Sequence, residues 1–266
     1  MVGLKINYNR CINCKQCIIT CPAKVFQLEK EQVVIKKNMI CIGCLHCAAV
    51  CPNKAVEISA SVNSEKTVLE HGEFKTENSA SKSIEEYITG RRSYRDFNTE
   101  TVPRDEIMHA LEISKWAPSA KNEHPAQYLV LEGRNKLELI MEHIINYVEK
   151  TGCFPEINRL YKQGKNIVMG KANTIIIAYA DSNATNPHVD TALALHSAEL
   201  VLQSHGIGTC WSGYLITMCN EVEAIRKILS IPKGNQVYGV ILVGYTQNEK
   251  FLNVPNRLKQ VKVEWI

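Results

Sequence analysis

The sequence predicts an α+β protein of two domains. A short cysteine-rich module spans residues 1–60, a linker spans 61–83, and a larger domain of mixed helices and strands spans 84–266. Three observations predict this. Eight of the eleven Cys fall between Cys11 and Cys51 as two repeats. Residues 61–83 are rich in Ser, Glu, Lys and Asn, with few large apolar side chains. Beyond them, helix and strand periods mix without a strict βαβ alternation. A chain of 266 residues suffices for one large domain or two smaller ones.

The first element is the cysteine repeat. Cys11, Cys14, Cys17 and Cys21 precede Pro22, and Cys41, Cys44, Cys47 and Cys51 precede Pro52. Each half reads C-x2-C-x2-C-x3-C-P. In such a run the close triplet holds three corners of one iron–sulfur cubane, and the fourth Cys ligates the other cluster. Cys11, Cys14, Cys17 and Cys51 are thereby assigned to one [4Fe–4S] cluster, and Cys41, Cys44, Cys47 and Cys21 to a second. Paired C-x2-C also occurs at zinc sites, but two triplets with two Cys-Pro make a poor pair of four-ligand sites. The halves also repeat outside the cysteines: Cys21 to Leu28 echoes Cys51 to Ile58. Each Cys-Pro leads into a short alternating segment that reads as a strand, with Lys5 to Tyr8 and Val33 to Lys36 as pairing candidates. This stretch resembles the dicluster bacterial ferredoxins, over about residues 1–60. So short a module has little core of its own, so metal–thiolate bonds must hold much of it together.

The net charge of +4 is unevenly placed. Residues 1–60 hold eight Lys/Arg and three Asp/Glu, giving +5. Residues 61–83 hold three and four, and the remainder twenty of each. An oxidised cubane with four thiolates is a dianion, so two clusters offset most of the N-terminal excess. No basic stripe with interleaved aromatics suggests a nucleic-acid surface. No apolar run approaches the ~20 residues of a membrane span, and the N-terminus has no signal-peptide apolar region. Eleven Cys would suit a secreted disulfide scaffold. With eight used as ligands, Cys153, Cys210 and Cys219 read as small buried residues, and a reducing cytoplasm fits. The linker, as a flexible coil, spans roughly 25–30 Å; Thr67-Val68-Leu69 leaves open an ordered edge strand within it.

The second domain is expected to start near Ile84, with a short helix from Ile84 to Thr89 ended by Gly90. Pro103 suits the first position of a helix whose positive first turn holds Asp105 and Glu106. Ile107, Ala110, Leu111 and Ser114 give it a core stripe, and Pro118 ends it. Gln127 to Glu132 reads as a strand and Leu137 to Lys150 as a helix. Thr174 to Ala180 is a continuous apolar run suited to a central strand. Asp190 to His205 is an Ala/Leu-rich helix, buried on most sides and ended by Gly206. Val237 to Tyr245 is another central strand.

Arg91-Arg92-Ser93-Tyr94-Arg95 gathers three guanidinium groups and a hydroxyl, chemistry that suits phosphate oxygens; in isolation it also suits a solvated basic turn. Trp116-Ala117-Pro118-Ser119-Ala120-Lys121-Asn122 follows the next helix. Gly206-Ile207-Gly208-Thr209-Cys210-Trp211-Ser212-Gly213 closes the long one, and Pro255-Asn256-Arg257 lies near the C-terminus. In this order and spacing, residues 84–266 resemble the nitroreductase-like flavoproteins. The resemblance implies FMN at the interface of an intertwined homodimer. It implies that Arg91, Arg92, Ser93 and Arg95, with Arg257, hold the phosphate and ribityl chain. It places Pro118, Ser119, Ala120 and Asn122 of the partner against the ring and ribityl, and Trp211, Ser212 and Gly213 along the isoalloxazine. Where that family commonly has Asn-x-Gln-Pro-Trp, this chain has Asn122-Glu123-His124-Pro125-Ala126. Substrate specificity is therefore not transferable. His124 reads either as a structural hydrogen-bonding residue or as part of the site. Gly206-Ile207-Gly208 is no dinucleotide fingerprint, since it lacks the third Gly and ends a helix; hydride from NAD(P)H stacked on a flavin needs none.

The expected function is an iron–sulfur flavoprotein oxidoreductase. Two [4Fe–4S] clusters pass single electrons, and FMN converts between one- and two-electron chemistry. NAD(P)H or a reduced ferredoxin-type protein is the expected donor. A nitroaromatic, a quinone or a similar small molecule is the expected acceptor, and no protein nucleophile or general base is demanded. Two alternatives stay open: oxidation of a metabolite with electron export through the clusters, and a non-catalytic redox sensor or carrier.

Overall fold

A computed structural model describes residues 3–43, 46–59, 78–246 and 261–266. Cys44, Arg257 and residues 61–77 of the expected linker lie outside them. The chain divides into two compact units. One is built on the N-terminal residues and takes in Lys121–Glu123; the other holds 78–120 and 124–246. Among the described residues no helix is long and apolar enough to cross a membrane.

The first unit is a twofold repeat in structure as in sequence. Its elements are β1 (Gly3–Ile6), α1 (Gln16–Thr20), β2 (Phe26–Glu29), β3 (Gln32–Ile35), α2 (His46–Ala49) and β4 (Val56–Ser59). The strand after each Cys-Pro pairs antiparallel with one of the expected partners, β4 with β1 and β2 with β3. Val25, Phe26, Val33 and Val56 close a small core around Cys17, Cys21 and Cys47. Lys24 and Lys54, both left-handed, stand at the same place in the two halves. Each donates its backbone N–H to the carbonyl of the Cys three residues earlier, at 3.2 and 3.1 Å.

The second unit opens with α3 (Asn78–Gly90), which starts six residues before the expected Ile84. It continues through α4 (Arg104–Ile113), β5 (Gln127–Glu132), α5 (Arg134–Thr151), α6 (Pro155–Tyr161) and β6 (Thr174–Asp181). Then come α7 (Pro187–Ser204), β7 (Gly208–Trp211), α8 (Gly213–Glu221), α9 (Glu223–Ile228) and β8 (Asn235–Gly244). The four strands form one antiparallel sheet in the order β5-β6-β8-β7.

Alternate residues of a strand point to opposite faces, and both faces of this sheet are covered. Ile175 and Ile177 of β6 and Leu242 of β8 join one core with Leu137, Ile140 and Ile144 of α5 and Leu215 and Met218 of α8. Ile176 and Ala178 with Ile241 and Val243 join the other, against Ile107 and Leu111 of α4 and Leu195 and Leu202 of α7. This two-sided burial explains why β6 is apolar without alternation. A register shift falls between Ala178 and Tyr179 opposite Gly239 and Val237. The expectation that Asp190 to His205 is buried on most sides is met in part. Asp190, Thr191, Ala194, Leu195, Ala198, Glu199 and Leu202 are buried, with Leu195, Ala198 and Leu202 packed between the sheet and α4, while Leu193 on the outer side is 40% exposed, as is Val189 in the first turn at 41%.

Burial pushes the Cys219 thiol of α8 from 9.0 up to about 12. The unfolded chain therefore ionises this group first. Its contribution to stability is whole below pH 9 and is lost as pH rises from about 9 toward about 12. Denaturant unfolding across that interval should show a decline of up to about 1.4 kcal/mol per pH unit from this group. A Cys219→Ala variant should show a shallower decline, and an identical slope would contradict the burial effect.

Candidate functional site

In the first unit the cysteine loop is shaped by two left-handed residues, Asn13 (φ 55°) and Lys15 (φ 63°). The Asn13 side chain accepts the Val33 amide at 3.1 Å and so ties the loop to β3. Cys11, Cys14 and Cys17 line one cavity, and the fourth thiol on its wall is Cys51, from the other repeat. Ile6, Ile12, Val33 and Val56 make the rest of that wall mostly apolar. Among the described residues, no three His, Cys, Asp or Glu side chains converge on a single-ion position. One zinc would draw its thiolates to within about 4 Å of each other, given Zn–S bonds of about 2.3 Å. Four thiols on one cavity wall suit a cluster that offers one iron to each. Cys51 Sγ accepts the Ala55 amide at 3.2 Å and Cys41 Sγ accepts the Gly43 amide at 3.5 Å. Hydrogen bonds of this kind tune cluster potentials. Cys21 and Cys47 are buried together in the core of the module.

In the second unit, a cavity of about 730 Å³ opens where β7 passes into α8. That is within the roughly 300–1,000 Å³ of cofactor-sized pockets. Trp211, Ser212 and Gly213 form this junction, and Arg95, Asn166 and Val168 line the same cavity. Ser212 is fixed twice, by its amide to the Val240 carbonyl (2.9 Å) and by its hydroxyl to the Val168 carbonyl (2.9 Å). Helix α8 begins at the cavity wall, so its unsatisfied first-turn N–H groups and positive dipole end lie there. A Cβ added at Gly213 would meet nothing within 4 Å, so the space over this residue is open. Gly170 lines the cavity as well. Its φ of +58° and the Arg95 carbonyl, 3.0 Å from where a Cβ would stand, require glycine. Phe154 and Tyr214 meet edge to face on the wall, with centroids 5.6 Å apart. The Tyr214 hydroxyl donates to Glu156 at 2.9 Å, and this bond to a carboxylate pushes its ionisation up.

The expected site residues separate into three groups. Arg95, Trp211, Ser212 and Gly213 share the large cavity. Pro118 and Ser119 line a smaller one of about 80 Å³ with His124, Tyr128 and Asp190. There the Ala120 amide donates to the buried Asp190 carboxylate at 3.0 Å, and Ser119 Oγ accepts the His124 amide at 3.0 Å. Asn122 groups with the first unit. The third group, Arg91 and Arg92, is engaged within the chain. Arg92 Nη1 donates to the carbonyls of Thr89 (2.8 Å) and Arg91 (2.7 Å). Arg91 pairs with Glu199 at 3.3 Å.

Glu199 is the main residue that the sequence reading missed. It lies on α7 among Leu195, Ala198 and Leu202, and is 1% exposed. Four groups surround its carboxylate: Arg91 Nη1 (3.3 Å), Thr209 Oγ1 (3.2 Å), Trp211 Nε1 (2.8 Å) and His196 Nδ1 (2.8 Å). Gln203 extends the network to the Arg92 carbonyl (2.8 Å) and to Thr209 Oγ1 (2.6 Å). The Trp211 ring is held from another side by Gly239. A Cβ there would come within 3.1 Å of the ring and 2.5 Å of Leu195. The available signal was a carboxylate within an apolar helical stripe, followed by Thr209 and Trp211 two apart on one strand face.

Removing one partner of a buried charge leaves the others uncompensated. Glu199→Ala should therefore destabilise the protein by about 3 kcal/mol or more, while Glu199→Gln, which keeps the shape and one acceptor, should cost less. Chemical unfolding followed by tryptophan fluorescence checks both, and a Glu199→Ala protein of unchanged stability would contradict the clamp.

Comparison with known proteins agrees with this geometry. The profile of the nitroreductase family matches residues 88–245, and that of a 4Fe-4S dicluster domain matches residues 3–70. A protein of Methanothermobacter thermautotrophicus, provisionally named NADH dehydrogenase/NAD(P)H nitroreductase, is 29% identical over 60% of this chain and 75% of its own length. An Archaeoglobus fulgidus protein of the same provisional name is 26% identical over 61% of this chain and 85% of its own. Among solved structures, a nitroreductase with bound FMN from Bacteroides fragilis superposes with a TM-score of 0.59 at 25% identity, over 69% of this chain and 98% of that one. The chain belongs to the nitroreductase family of oxidoreductases and carries a 4Fe-4S dicluster domain ahead of the nitroreductase fold.

Proposed function

We propose that this protein is an iron–sulfur flavoprotein reductase that delivers electrons to a small acceptor with an activated π-system, such as a nitroaromatic or a quinone. The observation that carries this reading is the cavity of about 730 Å³ in which Arg95 meets the start of α8. A guanidinium suits a phosphate and a helix N-terminus suits a partly anionic ring, so the donor set fits FMN. The Bacteroides fragilis protein binds that cofactor. FMN exchanges electrons singly or in pairs. Arg95 would hold its phosphate, with Arg257 and Ser93 helping. Arg91 and Arg92 would join it there, and they also hold the 91–95 segment through Glu199, Gln203 and main-chain carbonyls. Trp211, Ser212 and Gly213 would lie along the ring. Pro118, Ser119, Ala120 and Asn122 do not line this cavity, in keeping with their coming from a second subunit. The exposed Val189 and Leu193 of α7 offer apolar surface to that homodimer.

In the N-terminal module, residues 1–60, two [4Fe–4S] clusters would carry single electrons. Cys11, Cys14, Cys17 and Cys51 would hold one, and Cys41, Cys44, Cys47 and Cys21 the other. The shared wall of Cys11, Cys14, Cys17 and Cys51 supports the crossed assignment. NAD(P)H, which the archaeal relatives' names suggest, or a reduced ferredoxin-type protein would supply the electrons. Thiolates kept for iron call for a reducing compartment such as the cytoplasm.

Three outcomes test the reading. Cys51→Ser should perturb the cluster of the first triplet and spare the other, as read by cluster-resolved EPR; damage confined to the Cys41/Cys47 cluster would reverse the assignment. Arg95→Ala should keep its iron and lose about 1.5–3 kcal/mol of FMN affinity, about ten- to a hundredfold in Kd; unchanged affinity would falsify the phosphate role. The relay is tested by deletion of residues 1–77. The nitroreductase unit has its own cores, formed within residues 97–243, so the fragment should fold. It should keep NAD(P)H-driven turnover and lose turnover driven by single-electron donors. Equal reduction of fragment and full chain by such a donor would sink the relay.

A further inference from the structure

The charge on the cluster module is segregated. Its three carboxylates are Glu29, Glu31 and Glu57, all outside the cysteine loops. Residues 11–24 and 36–54 contain no Asp or Glu but carry five lysines. Three of these, Lys15, Lys24 and Lys54, sit in the left-handed region at φ 63°, 51° and 49°, and all three are exposed. Lys15 also lines the cavity of Cys11, Cys14, Cys17 and Cys51. Lys24 and Lys54 close the turns that follow Cys21 and Cys51, at equivalent places in the repeat. Arg10, by contrast, is paired with Glu57.

Compensation of cluster charge does not explain this placement. Backbone amides already reach the thiol sulfurs of Cys41 and Cys51, and an ammonium in water on a turn stabilises an anion behind it weakly. Toward solvent, however, an approaching molecule meets these lysines beside the cysteine loops, together with the exposed Ile12, Ile19, Met39 and Ile40. Residues 84–266 hold twenty bases and twenty acids, so they provide no complementary excess.

We propose that the basic collar of Lys15, Lys24 and Lys54 docks an acidic one-electron carrier protein, which presents a carboxylate-rich face to the cysteine loops. This inference rests on the proposed entry of electrons through the clusters and names the partner at that entry. One electron leaves the reduced carrier and enters a cluster; no bond forms and no proton moves. The transfer makes the carrier less negative and the module more so, which weakens their attraction and favours release of the spent carrier.

The test uses the full-length protein loaded with iron and FMN, under anaerobic stopped flow. The donors are a chemically reduced acidic ferredoxin and reduced methyl viologen, which is a cation. The rate constant with the acidic carrier should fall about tenfold or more from low to high salt. Lys24→Glu/Lys54→Glu, which leaves Lys15 of the cluster cavity in place, should slow that carrier by about tenfold while viologen reduction is kept or accelerated. The same variant should lose carrier binding in low-salt calorimetry. Should charge reversal lower the iron content, the Lys→Gln variant of both positions serves, with the same sign and a smaller effect. A carrier rate insensitive to both salt and substitution overturns the docking proposal while leaving cluster entry intact. Binding of duplex DNA as tight as that of the carrier also overturns it, since the collar would be a general polyanion surface. Failure of both donors to reduce the clusters overturns the relay itself, and the docking with it.

Discussion

Burying the Glu199 carboxylate within α7 commits other parts of the larger unit to fixed positions. A desolvated charge is tolerated only with donors on its oxygens, and here they come from three separate stretches of chain. Arg91 precedes the extended segment that leads to Arg95, Thr209 and Trp211 lie on β7, and His196 is one turn back on α7. The helix is itself pinned to the sheet by Leu195 and Leu202. The clamp therefore transfers the rigidity of the sheet to both flanks of the cavity, the β7–α8 junction and the 91–95 segment. An arginine-rich stretch read as a ligand cradle is thus partly a scaffold. Arg91 and Arg92 hold the stretch, and Arg95, whose Nη1 donates to the Ser93 carbonyl at 3.2 Å, lines the large cavity.

The two units use different means to hold their sites. In the larger one, a sheet covered on both faces supplies a dry core, and the site lies at its edge, where β7 gives way to a helix. In the smaller one, few large apolar side chains are present, and the loops are held by local devices: left-handed turns, an asparagine accepting a strand amide, and amides donating to sulfur. Such a unit depends on what its thiols bind, whereas the larger one carries its own stability.

Much of this was legible in the sequence, for physical reasons that can be named. Ligand spacing is a local property, so the cysteine repeat could be read directly, and the repeat in turn pointed to the β2–β3 hairpin and to the pairing of the module's first and last strands. A strand buried on both faces writes a continuous apolar run, so β6 and β8 stood out, and α4 carried a clear core stripe. The four-residue strand β7 did not, because Gly208-Thr209-Cys210-Trp211 shows no period and is fixed by pairing with β8. The short helices α6, α8 and α9 likewise owe their existence to packing, α8 on β8, α6 on α5, and α9 on α8 and α5. Glu199 was hidden for another reason. A single carboxylate in an apolar stripe reads as an irregularity until its donors, distant in sequence, are brought round it. The bonds by which Arg91 and Arg92 hold their own segment were invisible for the same reason.

The two-sided burial of β6 also sets where this chain can change. Seven successive residues, Thr174 to Ala180, are all buried. None therefore offers a position where a polar or larger side chain is neutral, and drift there is confined to exchanges that conserve volume. The solvent-facing side of α7 and the aromatic wall of Phe154 and Tyr214 carry no such restriction. Variation among relatives should accordingly gather at the cavity rim while the strand beneath it stays fixed. The cavity can thus change shape without any alteration of the sheet that supports it.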